Sequence, residues 1–163
     1  MKKLIVVSII VLLFGYMGQA SASNDATIAV SVTLAASMSF TLNTPTWNVG
    51  SVDIGAVVGP SGDYIVTNTG KVTTKIWIKG GNTATGWSIG LKGADTFQVD
   101  VDSPALTLTT VGQTLATLPI TGNYTFHLTY SSPTDTTLED GPQNFDVLLR
   151  GTRSSVAVSP VWP

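Results

Sequence analysis

Residues 25–42 read DATIAVSVTLAASMSFTL, and from residue 28 onward every second residue is apolar. Such alternation is typical of a β-strand that buries one face. At about 3.3 Å per residue, residues 28–42 would span about 45–50 Å, whereas strands in compact domains usually have about 5–6 residues. The stretch therefore predicts a β protein, and it is too long for one ordinary strand of its own domain.

Two interpretations of this stretch stay open. In the first, the small residues 35–37 allow a bend, so that residues 27–34 form an edge strand and the first core strand contains Met38, Phe40 and Leu42. In the second, residues 26–34 leave the domain and complete the sheet of the next subunit as a donor strand. The subunit-contact residues would then be Ile28, Val30, Val32 and Leu34. Head-to-tail exchange of this kind does not close, so it generates a filament.

The first 22 residues have the features of a secretory signal peptide. Lys2 and Lys3 form a positive region, residues 4–17 are apolar, and residues 20–22 read Ala-Ser-Ala, a small-residue cleavage site. The apolar part is shorter than the roughly 20 residues that cross a bilayer. We expect the mature chain, residues 23–163, to be secreted or held at the cell surface.

Charge and cysteine content narrow the function classes. The net charge of −2 becomes −4 without Lys2 and Lys3, because six bases then face ten acids. Nucleic-acid binding requires a basic face, so we expect no nucleic-acid partner. The chain has no Cys and must be stable without disulfides. We predict an N-terminal strand, residues 23–34, followed by a single domain, residues 35–163.

Short alternating runs recur along the domain and are separated by Gly-, Pro- and Asp-containing turns. The runs are residues 47–57, 63–70, 72–80, 86–93, 96–101, 105–111, 123–132 and 144–151. Their spacing predicts an all-β, antiparallel β-sandwich, Ig-like or jelly-roll-like, with about seven to nine strands. The predicted core residues are Val72, Ile76, Ile78, Trp87, Ile89, Leu91, Phe97, Val99, Val101, Tyr124, Phe126, Leu128, Tyr130, Phe145, Val147 and Leu149.

Trp77 is the one large aromatic residue that the alternation places on a polar face, between Lys75 and Lys79. An exposed indole can stack on a sugar ring, so Trp77 is a candidate ligand residue, which Trp47 and Trp162 could join. The alternative is that a loop, a neighbouring subunit or the lysine stems cover it. A secreted carbohydrate-binding module, with polysaccharide as the partner, is therefore the alternative function.

The sequence carries no catalytic pattern, and we expect a non-enzymatic protein without cofactor or metal. His127, the only histidine, is interpreted as a solvent-facing strand residue rather than a general base. Asp100 and Asp102 share a strand face and are interpreted as solvated carboxylates. Asn123 begins an Asn-Tyr-Thr sequon, which matters only in a host that glycosylates asparagine.

The order of segments resembles prokaryotic secreted β-sandwich subunits. A signal peptide precedes an alternating strand, then residues 47–78 (WNVGSVDIGAVVGPSGDYIVTNTGKVTTKIWI), FQVDV at residues 97–101 and NFDVLLRGT at residues 144–152. This pattern is similar to surface-layer adornments, fimbrial or biofilm-fibre subunits and WxL-like cell-surface domains. The resemblance implies a structural subunit of an extracellular filament or coat, whose partners are further copies of itself or other cell-surface proteins.

Overall fold

The computed structural model describes residues 31, 37–83, 85–138 and 142–162. The predicted signal peptide and the predicted contact residues Ile28, Val30, Val32 and Leu34 lie outside the described residues. Every regular element of the described residues is a β-strand, and no helix occurs among them. The all-β prediction is therefore confirmed.

Eleven strands lie in the described part of residues 35–163. Three of them are only two residues long, so the longer strands match the predicted number. In chain order the strands are β1 (Phe40–Leu42), β2 (Val57–Val58), β3 (Tyr64–Asn68), β4 (Thr74–Gly80), β5 (Ser88–Ile89), β6 (Thr96–Val101), β7 (Leu106–Thr107), β8 (Gln113–Leu118), β9 (Asn123–Phe126), β10 (Leu128–Ser131) and β11 (Val147–Arg153).

The strands form three small sheets. Sheet A has the order β1-β3-β9, sheet B has the order β2-β10-β6-β5 with β7 also paired to β6, and sheet C has the order β11-β4-β8. Neighbouring strands are antiparallel except β5 and β6, which are parallel. Side chains from all three sheets meet in one core, as a sandwich-like fold requires. The core includes Val66, Ile76, Ile78, Phe97, Val99, Val101, Leu108, Leu115, Phe126 and Leu128.

The run at residues 123–132 forms two strands instead of one. Its first half, β9, pairs with β3 in sheet A, and its second half, β10, pairs with β6 and β2 in sheet B. The chain changes sheets at His127. Phe126 and Leu128 both remain in the core, so the predicted inward face continues across the change.

Strand β8 was not predicted, because its side chains do not alternate. Opposite β4, Ala116 pairs with Ile76 and Thr114 pairs with Trp77, so Leu115 is an extra residue in a β-bulge. The bulge gives buried positions at Leu115 and Leu118, three residues apart. A search for period two therefore passes over this strand.

Two predicted core residues are exposed. Leu91 is 77% exposed, because the chain turns between β5 and β6, where Gly90 N–H donates to the carbonyl of Phe97. Met38 is 47% exposed, because the first described strand begins two residues later at Phe40. In both places the alternation of the sequence continues beyond the strand itself.

The turn after β3 is held by a buried asparagine. The Asn68 amide donates to the carbonyls of Val72, Leu118 and Pro119 at 2.9–3.1 Å, and its oxygen accepts from the Gly70 N–H at 3.0 Å. A Cβ atom on Gly70 would lie 2.7 Å from the carbonyl oxygen of Ser37, so this position requires glycine. The turn ties sheet A to the end of β8.

Candidate functional site

A cleft of about 1020 Å³ opens onto the core among the described residues. Its walls come from five parts of the chain: β1 with the segment after it, strand β3, Trp87 just before β5, strands β9 and β10, and β11 with the segment that leads into it. Six aromatic residues line it: Trp47, Tyr64, Trp87, Phe126, Tyr130 and Phe145. Polar side chains at the same cleft include Asn48, Asp53, Gln143, Asn144 and Asp146.

The floor of the cleft is part of the hydrophobic core. Tyr64, Phe126, Leu128 and Tyr130 are buried core residues that also line the cleft. The rings of Tyr64 and Phe126 stack with their centroids 5.5 Å apart. These four side chains are only 1–7% exposed, so an apolar occupant would remove surface from water mainly at the partly buried walls of the cleft, at about 25 cal/mol for each Å².

The walls of the cleft are only half-buried. Trp87, Phe145, Val147 and Leu149, all predicted core residues, pack against the core but remain partly exposed at the cleft. Phe145 contacts the ring of Phe97, with centroids 4.6 Å apart. The sequence placed these residues on inward faces correctly, whereas their exposure at a cleft was not predicted.

Two strand edges flank the cleft. Val147 and Leu149 belong to β11, which pairs with β4 on one side, and Leu42 belongs to β1, which pairs with β3 on one side. Among the strands that the structure describes, none pairs with the other edge of β11 or of β1. An unpaired edge presents N–H and C=O groups that can hydrogen-bond to an added strand. The cleft thus combines an apolar lining with strand edges that no described strand occupies.

Of the two interpretations of Trp77, exposed or covered, the structure shows the covered one. Its side chain lies on the outer face of sheet C, but the residue is only 5% exposed. The indole N–H donates to Oγ1 of Thr152 at 2.8 Å, and the ammonium of Lys75 lies 5.5 Å from the ring centroid. The indole of Trp77 is therefore covered and is not available to stack on a sugar ring.

The C-terminal segment contributes to this cover. The ammonium of Lys75 donates to the carbonyl of Val156 at 2.6 Å, and the ammonium of Lys79 lies 4.9 Å from the ring centroid of Trp162. Arg150 also donates to the carbonyl of Val161. Trp47, in contrast, lines the cleft, so the three tryptophans proposed for one platform do not form it.

The His127 side chain is 31% exposed at the surface, and the sequence did not predict that carboxylates contact its ring on both sides. Its Nδ1 lies 2.7 Å from Oδ2 of Asp102, and its Nε2 lies 2.7 Å from Oδ1 of Asp63. The hydrogen bond to Asp102, followed by that to Asp63, raises the pKa of His127 above its usual value, although desolvation opposes the shift. Both ring nitrogens face carboxylates, so neither is directed at a hydroxyl that it could activate.

Asp102 and Asp100 have different partners in the structure. Desolvation raises the pKa of Asp102, but hydrogen bonds from the backbone and ring of His127 outweigh it, and the net shift is downward. Asp100 accepts hydrogen bonds from Gln98 and Thr107 instead. The two carboxylates therefore serve separate structural contacts and do not act on one common site.

The comparisons give no relationship from which to transfer a function. The chain matches no protein-family model, and no curated protein matches its sequence. Within residues 31, 37–83, 85–138 and 142–162 there is no group of three or more metal-ligating side chains placed to hold an ion. The same residues contain no helix long and apolar enough to cross a membrane.

Proposed function

We propose that this protein is a non-enzymatic structural subunit of an extracellular filament or surface coat, in which the cleft accepts the N-terminal strand of the next copy. The observation that carries the proposal is the cleft itself, which opens onto the core beside an edge of β11 that pairs with no other strand among the described residues. An added strand could hydrogen-bond to that edge and place alternate side chains against the apolar floor.

The sequence supplies a segment that suits the cleft. Residues 28–34 place Ile28, Val30, Val32 and Leu34 on one face, and Ala29, Ser31 and Thr33 on the other. Seven extended residues span about 20 Å, and β11 is also seven residues long. Residues 26–34 carry no charge, so their insertion would bring no ionised side chain into the core.

Exchange of this segment between copies gives a polymer. Each subunit would donate one strand and accept one strand, and such a head-to-tail contact continues without closing. Burial of each large apolar side chain contributes about 1.5–3 kcal/mol, so four of them provide a substantial assembly energy. The predicted signal peptide supports a place outside the cell for this assembly.

A double substitution on the apolar face of the segment tests the proposal. Val30→Asp with Val32→Asp should abolish filaments in the mature chain, because two charges cannot enter the apolar floor. The matched control is Ser31→Asp with Thr33→Asp, which adds the same charge to the opposite face and should still assemble. Negative-stain microscopy and size-exclusion chromatography measure assembly.

Thermal melting of the same variants separates exchange from pairing within one chain. If residues 27–34 complete their own domain, the Val30→Asp, Val32→Asp monomer should melt at a lower temperature than the Ser31→Asp, Thr33→Asp monomer. If the strand is exchanged, the two variants should melt together once the Ser31→Asp, Thr33→Asp control is diluted until it is monomeric, because neither cleft is then filled. A destabilised monomer with no defect in assembly would contradict the proposal.

Polysaccharide binding is the second candidate, and it is favoured by the composition of the same cleft. Two indoles, Trp47 and Trp87, line it together with Asn48, Gln143 and Asn144, and sugar sites commonly combine aromatic rings with amide side chains. A monomer that is retained on a polysaccharide resin, and loses retention with Trp47→Ala but not with Trp77→Phe, would establish this function instead.

A further inference from the structure

The floor of the cleft is connected to a charged bridge on the opposite side of the chain. Asp63, His127 and Asp102 come from three places: the residue before β3, the junction of β9 and β10, and the residue after β6. None of the three lines the cleft, but their chain neighbours Tyr64, Phe126 and Leu128 do. A change in the bridge therefore acts on residues one peptide bond from the floor.

The two halves of the bridge differ in strength. Asp102 uses both carboxylate oxygens on His127, one on the ring and one on the backbone N–H at 2.8 Å. The Asp63 carboxylate reaches the ring alone, and 66% of its side-chain surface is exposed. The contact between Asp63 and His127 is therefore the half that opens first.

Protonation of the His127 ring decides whether its hydrogen bonds to Asp102 and to Asp63 can form together. A protonated imidazole donates an N–H to each carboxylate, whereas a neutral ring has only one N–H. Since Asp102 is also held by the backbone, the neutral ring keeps its proton on Nδ1 and turns an unprotonated Nε2 toward Asp63. A lone pair then faces a carboxylate at 2.7 Å, which is repulsive.

Few other charged groups influence the ring. Asp63 and Asp102 are the carboxylates whose charges act on His127. On β6, Asp100 is held by Gln98 and Thr107, and on β9 the hydroxyl of Tyr124 bonds to Ser103 at 2.9 Å. The state of the bridge is thus determined by one titrating ring and two carboxylates.

We propose that Asp63, His127 and Asp102 form a pH-responsive clasp, which holds the cleft floor in its strand-accepting shape while His127 is protonated; this inference rests on the proposed function. Opening of the Asp63 contact removes one restraint on the start of β3, where the Asp63 carbonyl still accepts from Asn43 and the Tyr64 ring stacks on Phe126 in the floor. Subunits accept a strand readily at mildly acidic pH and poorly at alkaline pH.

The clasp can be followed directly, because His127 is the only histidine of the chain. In the mature full-length protein, the imidazole proton resonances should titrate with a pKa above 6.5. Filament growth should fall as the pH rises through that same value, between about pH 5.5 and about pH 9. Asp63→Asn should lower the pKa of His127 and flatten the pH dependence of filament growth. His127→Gln removes the titrating ring and should also flatten the pH dependence of growth.

Asp100→Asn is the matched control. Like Asp63→Asn, it removes one carboxylate charge, but Asp100 lies on β6 and does not contact the imidazole, so filament growth should keep its pH dependence. Filaments that grow equally well on both sides of the His127 titration would overturn the clasp and leave the proposed function intact. Filaments at no pH would overturn the proposed function itself. An imidazole that titrates at its ordinary value, unchanged by Asp63→Asn, would show that the bridge does not form.

Discussion

The indole N–H of Trp77 donates to Oγ1 of Thr152 at 2.8 Å across the outer face of sheet C, between neighbouring strands β4 and β11. This bond satisfies the only polar atom of a side chain that is almost fully buried. It also explains how a tryptophan between two lysines is accommodated on the face that the sequence pattern marks as polar.

Replacement of Thr152 should therefore destabilise the domain. Thr152→Val keeps the shape but leaves the buried indole N–H without an acceptor, which should lower the free energy of unfolding by about 1–3 kcal/mol. Thr152→Ser retains the hydroxyl and should stay close to the wild type. Urea unfolding followed by tryptophan fluorescence measures both, and equal loss in the two variants would mean that the bond contributes little.

The buried amide of Asn68 gives a second stability prediction. Asn68→Asp loses three donated hydrogen bonds and buries a carboxylate at a position that is 1% exposed. The free energy of unfolding should fall by about 3 kcal/mol or more. Asn123→Asp makes the same chemical change at an exposed position and should be nearly neutral in thermal melts; a similar loss in both variants would contradict the role of burial.

The bridge at His127 predicts a pH window for stability. The pKa of His127 is raised by folding, so its contribution is present below about pH 6.5 and is lost as the pH rises through the folded value. The pKa of Asp102 is lowered, so its contribution is lost as the pH falls through its folded value, below 3.8. Melting temperatures should therefore be highest in mildly acidic buffer.

In His127→Gln, the melting temperature should no longer fall on the alkaline side because of the imidazole. The fall at acidic pH, to which other carboxylates contribute, should remain. The difference in melting temperature between wild type and His127→Gln should shrink as the pH rises from about pH 5.5 to about pH 9. A constant difference across this range would show that titration of the ring does not affect stability.

A mixing experiment tests the polarity of strand exchange. Val147→Asp places a charge in the cleft but leaves the N-terminal segment intact, whereas Val30→Asp with Val32→Asp has the opposite defect. Neither protein should polymerise alone, and the mixture should stop at heterodimers, because only one cleft and one strand are functional. Size-exclusion chromatography with light scattering measures the masses.

The control for the cleft variant is Leu148→Asp, which lies on the other face of β11 and should still polymerise. Long filaments from the mixture of the two defective proteins would rule out the head-to-tail scheme, since it provides no second contact through which a heterodimer could grow.

Sequence periodicity was sufficient where strands are regular. The alternation of residues 96–101 identified β6, and that of residues 123–132 identified one extended run where the structure has β9 and β10; together they placed Phe97, Phe126 and Leu128 in the core. This works because the side chains of an extended strand alternate between two faces irrespective of what the strand pairs with. The all-β class and most inward faces could therefore be predicted from local patterns alone.

Contacts between distant segments were decided only by the tertiary structure. The burial of Trp77 depends on Thr152, which is 75 positions away, and the environment of His127 depends on Asp63 and Asp102, 64 and 25 positions away. The bulge at Leu115 conceals β8, because an extra residue shifts the faces within one strand. The cleft likewise exists only where five separate segments meet around an incompletely covered core. Residue alternation records which way a side chain points from its own strand, but it carries no information about which part of the chain will lie on top of it.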